Sequence, residues 1–369
     1  MLRTVGIIGG GQLARMMIVP AIELGFEIKV LAEAEQSPAK LAATVGDYSD
    51  LQTVKEFANT VDVITFDHEH VPLEILEALI ADGVNVQPSP KALLFAQNKL
   101  AMRKRLAELN VPIPDWAEVS SAAEIDSFIK EHEGEAVLKT ATGGYDGKGV
   151  RIIRSAGEAT DWLNAGKPLL IEEKVNFVRE LAQLSARNSS GQWLAWHVVQ
   201  TIQRAGVCAE VHSPAANADS EAAAKIAEVI ATGFGVTGVL AVELFETADG
   251  KLLVNELAMR PHNSGHFTIE GSVTSQFEQH LRAVLDLPLG STEGTSAFAV
   301  MLNLLGPETA NTFAEHFENA WVLENTSHIH LYGKEYRAGR KMGHITALSS
   351  DSLQDARDQA LATYNALLA

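Results

Sequence analysis

Along the first hundred residues, apolar runs of strand length alternate with segments of helical period. Thr4–Ile8, Glu27–Ala32, residues 61–66 and residues 84–87 read as strands, each followed by a turn or a helix. This rhythm predicts a parallel, Rossmann-like sheet with helices on its faces. A helix is expected over residues 93–109, stopped by the two prolines of NVPIPDW at 110–116, which mark a linker. From Glu118 to Leu287 glycine-rich turns separate runs that read mostly as antiparallel strands with intervening helices. DLPLGSTEGTS at 286–296 reads as a second linker, and the remaining C-terminal stretch as a small α/β domain. The expected division is 1–98, 99–290 and 291–369, without an internal repeat or low-complexity tract.

Composition narrows the function classes. With 369 residues, 46% of them hydrophobic, the chain has material for two or three folded domains. Its 47 acidic against 29 basic residues give a net charge of −18, which repels nucleic acid and anionic lipid. The single cysteine, Cys208, can form no internal disulfide. With no signal-like start and no membrane-length apolar run, this points to a soluble cytoplasmic protein.

Two glycine-rich loops are candidates for anion binding. GGGQLA at 9–14 follows a strand and opens a helix, and Glu33 ends the next strand where a ribose-binding acid would stand. It reads either as a dinucleotide fingerprint or as a tight turn whose helix start receives another anion, or nothing. Pro20 is expected to interrupt that helix after barely two turns. The second loop, VLKTATGGYDGKGV at 137–150, sets four glycines and Lys148 within seven residues, beside Lys139 on the entering strand. Freed backbone N–H groups can close over phosphate oxygens, so phosphate binding is the better reading than a plain surface hairpin. Because Gly149 follows Lys148 in place of Ser or Thr, it is not a Walker A loop. Downstream, the strand ending in Glu172, Glu173, Lys174 and Val175 enters a connector whose backbone can meet an adenine edge. Glu180 there is an acceptor for ribose hydroxyls, or part of a solvated acidic loop.

The segment at 238–261 reads as a hairpin with a two-residue Asp249-Gly250 turn. In that register Glu243 and Glu256 stand directly opposite, which destabilises a sheet unless a cation lies between them. Oxygen ligands beside phosphates suit Mg²⁺, with Asn255 adjacent; a longer turn would instead leave two unrelated acids. In MRPHNSGHFT at 259–268, His262 and His266 have a zinc-like spacing, but the loop-forming residues between them and the lack of a nearby thiol argue against zinc. Arg260, Asn263 and Ser264 read as partners for an anion. Near the C-terminus, Lys334, Arg337, Arg340 and Lys341 against Glu335 make a local charge of +3. This stretch is either a solvated face or a phosphate pocket, reached if the tail folds back over the central domain.

Taken in order, K-x-x-x-G-G-Y-D-G-K-G, then E-x-x-V-x-F-x-x-E, then V-E-L-F and V-N-E-L-A-x-R-P-H-N-S-G-H resemble the ATP-grasp ligases. Within them the chain resembles the family of carboxylases that make N5-carboxyaminoimidazole ribonucleotide in microbial purine synthesis. The likeness runs from GIIGGGQLARM to RAGRKMGHI. It implies an ATP-grasp fold in three domains, a homodimer, and a reaction of ATP, bicarbonate and 5-aminoimidazole ribonucleotide through carboxyphosphate, with Mg²⁺. By this resemblance Lys99, Lys139, Gly144, Tyr145, Asp146, Gly147, Lys148, Gly149 and Val150 contact ATP phosphates. Glu172, Glu173, Lys174, Val175 and Glu180 hold adenosine, and Glu243, Glu256 and Asn255 hold Mg²⁺ at the nucleotide. Tyr145, Asp146, Lys334 and Arg340 hold the ribonucleotide, with Glu69, Asn263 and Ser264 nearby, and Arg260 and Asp146 are the catalytic candidates. The chain departs from the family pattern at Asp67-His68-Glu69-His70 and at Gln203-Arg204-Ala205-Gly206. An NAD-dependent oxidoreductase built on residues 9–14 and a non-catalytic nucleotide sensor are the rival classes.

Overall fold

The computed structural model describes residues 3–143, 149–204, 206–308, 313–323 and 326–369. Strands β1 (Thr4–Ile8), β2 (Glu27–Ala32), β3 (Ala43–Val45) and β4 (Val63–Phe66) form a parallel sheet in the order β3-β2-β1-β4. Helices α1 (Gln12–Leu24), α2 (Leu51–Ala58) and α3 (Leu73–Ala81) connect its strands and continue beyond β4. Residues 84–87, expected as a strand, meet β4 through a single bridge, Ile64 to Val86. Pro88 comes next and has no N–H with which to extend a ladder.

Two helix expectations are corrected. Helix α1 runs unbroken through Pro20 to Gly25, whose left-handed backbone (φ +72°) ends it. Leu13, Ala14, Met17, Pro20 and Ala21 are all buried in α1, and that apolar stripe outweighs the hydrogen bond the proline cannot make. The expected helix at 93–109 is two helices, α4 (Pro90–Gln97) and α5 (Lys99–Glu108). Asn98 leaves helical geometry (φ −130°, ψ 106°), and its side chain caps the Ala101 N–H.

A second sheet is antiparallel, in the order β5-β8-β6-β7: β5 (Trp116–Val119), β6 (Ala136–Thr140), β7 (Val150–Ile153) and β8 (Leu169–Glu173). Helices α6 (Ala122–Glu131) and α7 (Thr160–Asn164) belong to the same segment. The third sheet has nine strands. Its first six are β9 (Phe177–Arg187), β10 (Trp193–Ala195), β11 (Val199–Arg204), β12 (Val207–Ser213), β13 (Gly238–Thr247) and β14 (Leu252–Ala258). They are joined by β15 (Phe298–Leu305), β16 (His328–Leu331) and β17 (Lys341–Ser349). Because β15 pairs with β12, the C-terminal strands extend the central sheet and do not form one of their own. Helices α8 (Ser220–Phe234), α9 (Thr268–Gly271), α10 (Gln276–Val284), α11 (Phe317–Trp321) and α12 (Leu353–Ala366) are the remaining α-helices among the described residues. Among the described residues no helix is long and apolar enough to cross a membrane.

One ionic knot fastens α12 to the sheet. The Glu210 carboxylate on β12 is only 2% exposed and receives Arg357 from α12 at 2.8 and 3.0 Å, His212 at 3.0 Å, and Arg204. The His212 hydrogen bond, followed by Arg357, holds the carboxyl down at about 2. A depressed carboxyl stabilises the fold above its ordinary 4.5, and that contribution is lost as pH falls through about 2. Arg357→Ala is therefore expected to cost about 2 kcal/mol at pH 7. The cost should shrink steadily below pH ~4. Urea midpoints at both ends of that range check this, and a pH-independent loss would assign Arg357 to packing alone.

Candidate active site

The first glycine loop is filled by the chain itself. A Cβ on Gly10 would stand 2.6 Å from that of Ala32, and one on Gly11 only 2.1 Å from Asp67 Oδ2. Asp67 accepts the Ala14 N–H at 2.7 Å, and Glu33 accepts the Gly10 N–H at 3.2 Å. The acceptor at the start of α1 is thus the half-buried Asp67 side chain, and Glu33 is paired with His68. These glycines are required by close packing, which removes the dinucleotide reading.

The hairpin behaves differently from its expected form yet reaches the expected pairing. Thr247 bonds Lys251 across a turn of three residues, 248–250, with Gly250 left-handed (φ +80°). The register next to the turn is therefore one residue off the two-residue expectation. A bulge at Asn255 then restores it, so that Glu243 faces Glu256. Both carboxylates reach a cleft of about 680 Å³. Enclosure, then the facing charges of Glu256 and Glu180, push Glu243 up to about 8. Lys99, at the start of α5, answers Glu256 at 3.0 Å, and His262 lies 3.3 Å from Glu243.

Behind this pair lies a buried knot that the sequence reading did not include. Arg103, fully buried on α5, donates through Nε to Glu172 of β8 and through Nη2 to the Asn255 carbonyl at 2.8 Å. Lys139 of β6 reaches the other Glu172 oxygen at 2.6 Å and Asn255 Oδ1 at 3.2 Å. The bulge is what frees Asn255 to meet both cations. The Glu172 side chain is thus committed to Arg103 and Lys139, and its strand is paired on both sides, with Trp116 and with Val137. Glu173 accepts the Asp115 N–H and Lys174 pairs with Glu135 at 2.6 Å, so their side chains are also engaged elsewhere. Val175 lies in the connector between β8 and β9. Glu180 sits on β9 two residues from Ala182, which faces Glu243, and so shares the Glu243 face. Burial raises its carboxyl, opposed by a hydrogen bond from Gln203. Val150 pairs with Lys139, and Gly149 is left-handed (φ +75°). Gly144, Tyr145, Asp146, Gly147 and Lys148 lie outside the described residues.

The other walls come from all three parts of the chain. Gln12, Glu69 and His70 contribute from the N-terminal part. Arg260, just past β14, is held by Glu69 at 2.8 Å and lines the cleft with His262 and Asn263. Asn263 exchanges two amide hydrogen bonds with Asn303. Ser264 is 1% exposed, and its hydroxyl meets His262 Nδ1 at 2.9 Å, so it supports the wall from behind. Lys334, Arg337 and Arg340 from the loop between β16 and β17, with Lys341 at the start of β17, line the same cleft, as a folded-back tail requires. Among these, His262 and Lys341 had no assigned role in the sequence reading, although both sit in segments it singled out. Among the described residues no three carboxylate, imidazole or thiol groups converge on a metal position. Glu243 and Glu256 fit a hard cation that takes its remaining ligands from phosphate oxygens. Cys208, its thiol pushed up to about 12 by burial, is no nucleophile.

Three family models match successive parts of the chain. Residues 2–97 match the ribonucleotide synthetase preATP-grasp domain, 104–277 the ATP-grasp domain, and 299–359 the phosphoribosylaminoimidazole carboxylase C-terminal domain. The N5-carboxyaminoimidazole ribonucleotide synthase of Mycobacterium tuberculosis (strain ATCC 25618 / H37Rv) is 49% identical over 362 residues, covering 95% of this chain and 84% of the relative. That of Bacillus subtilis (strain 168) is 36% identical, covering 93% and 90%. Among solved structures, an ADP complex of N5-carboxyaminoimidazole ribonucleotide synthetase has a TM-score of 0.88 at 35% identity, covering 99% and 97%. The Aspergillus clavatus enzyme in complex with ADP and 5-aminoimidazole ribonucleotide has a TM-score of 0.89 at 31% identity, covering 100% and 99%. With a shared fold and this identity over nearly its whole length, the chain belongs to the N5-carboxyaminoimidazole ribonucleotide synthase family of ATP-grasp ligases.

Proposed function

We infer that this chain uses ATP and bicarbonate to carboxylate 5-aminoimidazole ribonucleotide, releasing ADP and phosphate, in purine biosynthesis. The observation that carries the reading is that one cleft joins a facing carboxylate pair to a basic wall built from Lys334, Arg337, Arg340 and Lys341. A triphosphate fits the first and a ribonucleotide 5′-phosphate the second. Bicarbonate is a poor electrophile, so its oxygen attacks the γ-phosphorus and ADP leaves. The exocyclic amine then attacks the carboxyl carbon of the resulting carboxyphosphate, or the CO₂ it releases. The bond from that carbon to the phosphate oxygen is broken, and the departing phosphate takes the proton the amine loses.

In this scheme Lys99, Lys139 and the loop at 144–150 bind the phosphates, while Glu180 and the connector after β8 take the adenosine. Glu243 and Glu256 would hold Mg²⁺, with Asn255 beside them; when bound, the ion spreads negative charge from the transferring phosphoryl group. Arg260, steadied by Glu69, orients the bicarbonate and its phosphorylated product. Asp146 positions the amine. Asn263 supports the Arg260 wall through Asn303, and Ser264 supports it through His262. The protein acts in the cytoplasm as a homodimer.

ADP release should depend strongly on the ribonucleotide, because the cleft must order both substrates before transfer. Equal ADP production with 5-aminoimidazole ribonucleotide omitted would falsify the reading. The guanidinium of Arg340 supplies a planar fork for the 5′-phosphate. Arg340→Ala should raise the KM for the ribonucleotide about tenfold, or ~1.4 kcal/mol, and leave the KM for ATP within a few-fold. The opposite split would give the basic wall to the triphosphate.

A further inference from the structure

Three polar rings are buried where the C-terminal strands meet the loop after β14. Tyr332 is 1% exposed, and His344 and His266 are fully buried. The Tyr332 hydroxyl meets His344 Nδ1 at 2.8 Å. The His344 and His266 rings lie 5.0 Å apart, and Gln276 bonds His266 Nδ1 while gripping both the N–H and the C=O of His262. Among the described residues, Nε2 of His344 and of His266 have no hydrogen-bond partner. Apolar rings would bury here at lower cost, so packing does not explain the choice of side chains.

What the cluster does hold is the ring of Tyr332. Gly333 is next, in the left-handed region (φ +66°), and turns the chain back, bringing the Lys334 ammonium over that ring at 5.3 Å from its centroid. This is within the range of a cation–π contact, and the ring is fixed from below by His344. Lys334 lines the cleft, so the platform sets where its charge enters the ribonucleotide wall.

We propose that Tyr332, anchored by His344, is a positioning residue that seats the Lys334 ammonium for the substrate phosphate. The proposal rests on the reading of Lys334 as a phosphate ligand, and the experiment separates the two. KM values for ATP and for 5-aminoimidazole ribonucleotide are measured for Tyr332→Phe, Tyr332→Leu, Lys334→Met and the Tyr332→Leu/Lys334→Met double variant, with thermal midpoints. Tyr332→Leu should raise the ribonucleotide KM about fivefold and leave that for ATP unchanged. Tyr332→Phe, which keeps the ring but loses its bond to His344, should raise it about half as much; a Tyr332→Phe variant as good as the parent overturns the anchoring by His344. The double variant should be no worse than Lys334→Met, because the tyrosine acts through the lysine. Multiplying effects, or a folded Tyr332→Leu with unchanged KM values, overturn the proposal. So does an equal rise in both KM values, which marks a general structural role. An unchanged ribonucleotide KM in Lys334→Met instead overturns the phosphate reading beneath it. If the leucine variant does not fold, Tyr332→Met replaces it, and if neither folds the ring is structural and the proposal fails.

Discussion

Glu256→Gln is expected to lower turnover by roughly 100-fold or more, about 3 kcal/mol of transition-state stabilisation, while the protein stays folded. Both halves of that result come from the same contact. Glu256 faces Glu243 across the hairpin, and after burial its charge is one reason Glu243 is pushed up to about 8. Replacing Glu256 by an amide takes away one of the two carboxylates crowded into the cleft and lets Glu243 ionise at lower pH, so the loss of fold stability is small. It also breaks the 3.0 Å ion pair with Lys99, an open-cleft contact with little net worth. In the loaded site the balance reverses, since the amide supplies no negative charge to a divalent ion beside the triphosphate. Turnover measured across an Mg²⁺ titration, together with the thermal midpoint, separates the two effects. Normal turnover at limiting Mg²⁺ would remove the pair from the metal site.

Arg103→Ala should be the most damaging single change to the fold, costing about 3–5 kcal/mol. Its guanidinium is fully buried and spans Glu172 and the Asn255 carbonyl, so truncation leaves a buried carboxylate answered by Lys139 alone. Lys139 is then drawn more tightly to Glu172 and away from phosphate. A raised KM for ATP should accompany the lowered denaturant midpoint. Arg103→Lys should recover only part of the loss, because an ammonium cannot reproduce a fork held between two acceptors. A variant with a midpoint within about 1 kcal/mol of the parent would show that the knot carries no net stability.

Strong local patterns made much of the architecture legible. Thr4–Ile8 and Glu27–Ala32 are apolar enough to be strands in any context, and the structure gives them those bounds. Pro20 misled because a local rule about one hydrogen bond cannot weigh the buried stripe that carries α1 past it. Asn98 misled in the opposite sense, since a capping residue between two helical runs looks like a tolerated interior position until its side chain is seen to bond Ala101. Arg103 was hidden for a different reason: in KLAMRKRLAE a charged residue reads as solvated surface. The available signal was its spacing from Lys99, one turn earlier on the same face, which turns both toward the site once either is placed there. The facing glutamates were reached through a turn one residue too short and without the bulge that compensates for it.

That bulge also bears on how the two antiparallel sheets are joined. Asn255 belongs to the edge strand of the large sheet, yet its carbonyl and side chain fasten Arg103 and Lys139 from the smaller sheet and the helix beside it. This one residue ties the two sheets together beside the carboxylate pair. Deleting Asn255 would heal the ladder and keep Glu243 opposite Glu256, but Arg103 and Lys139 would each lose the acceptor that binds them to the large sheet. The facing pair would then survive while the tie between the two sheets is lost.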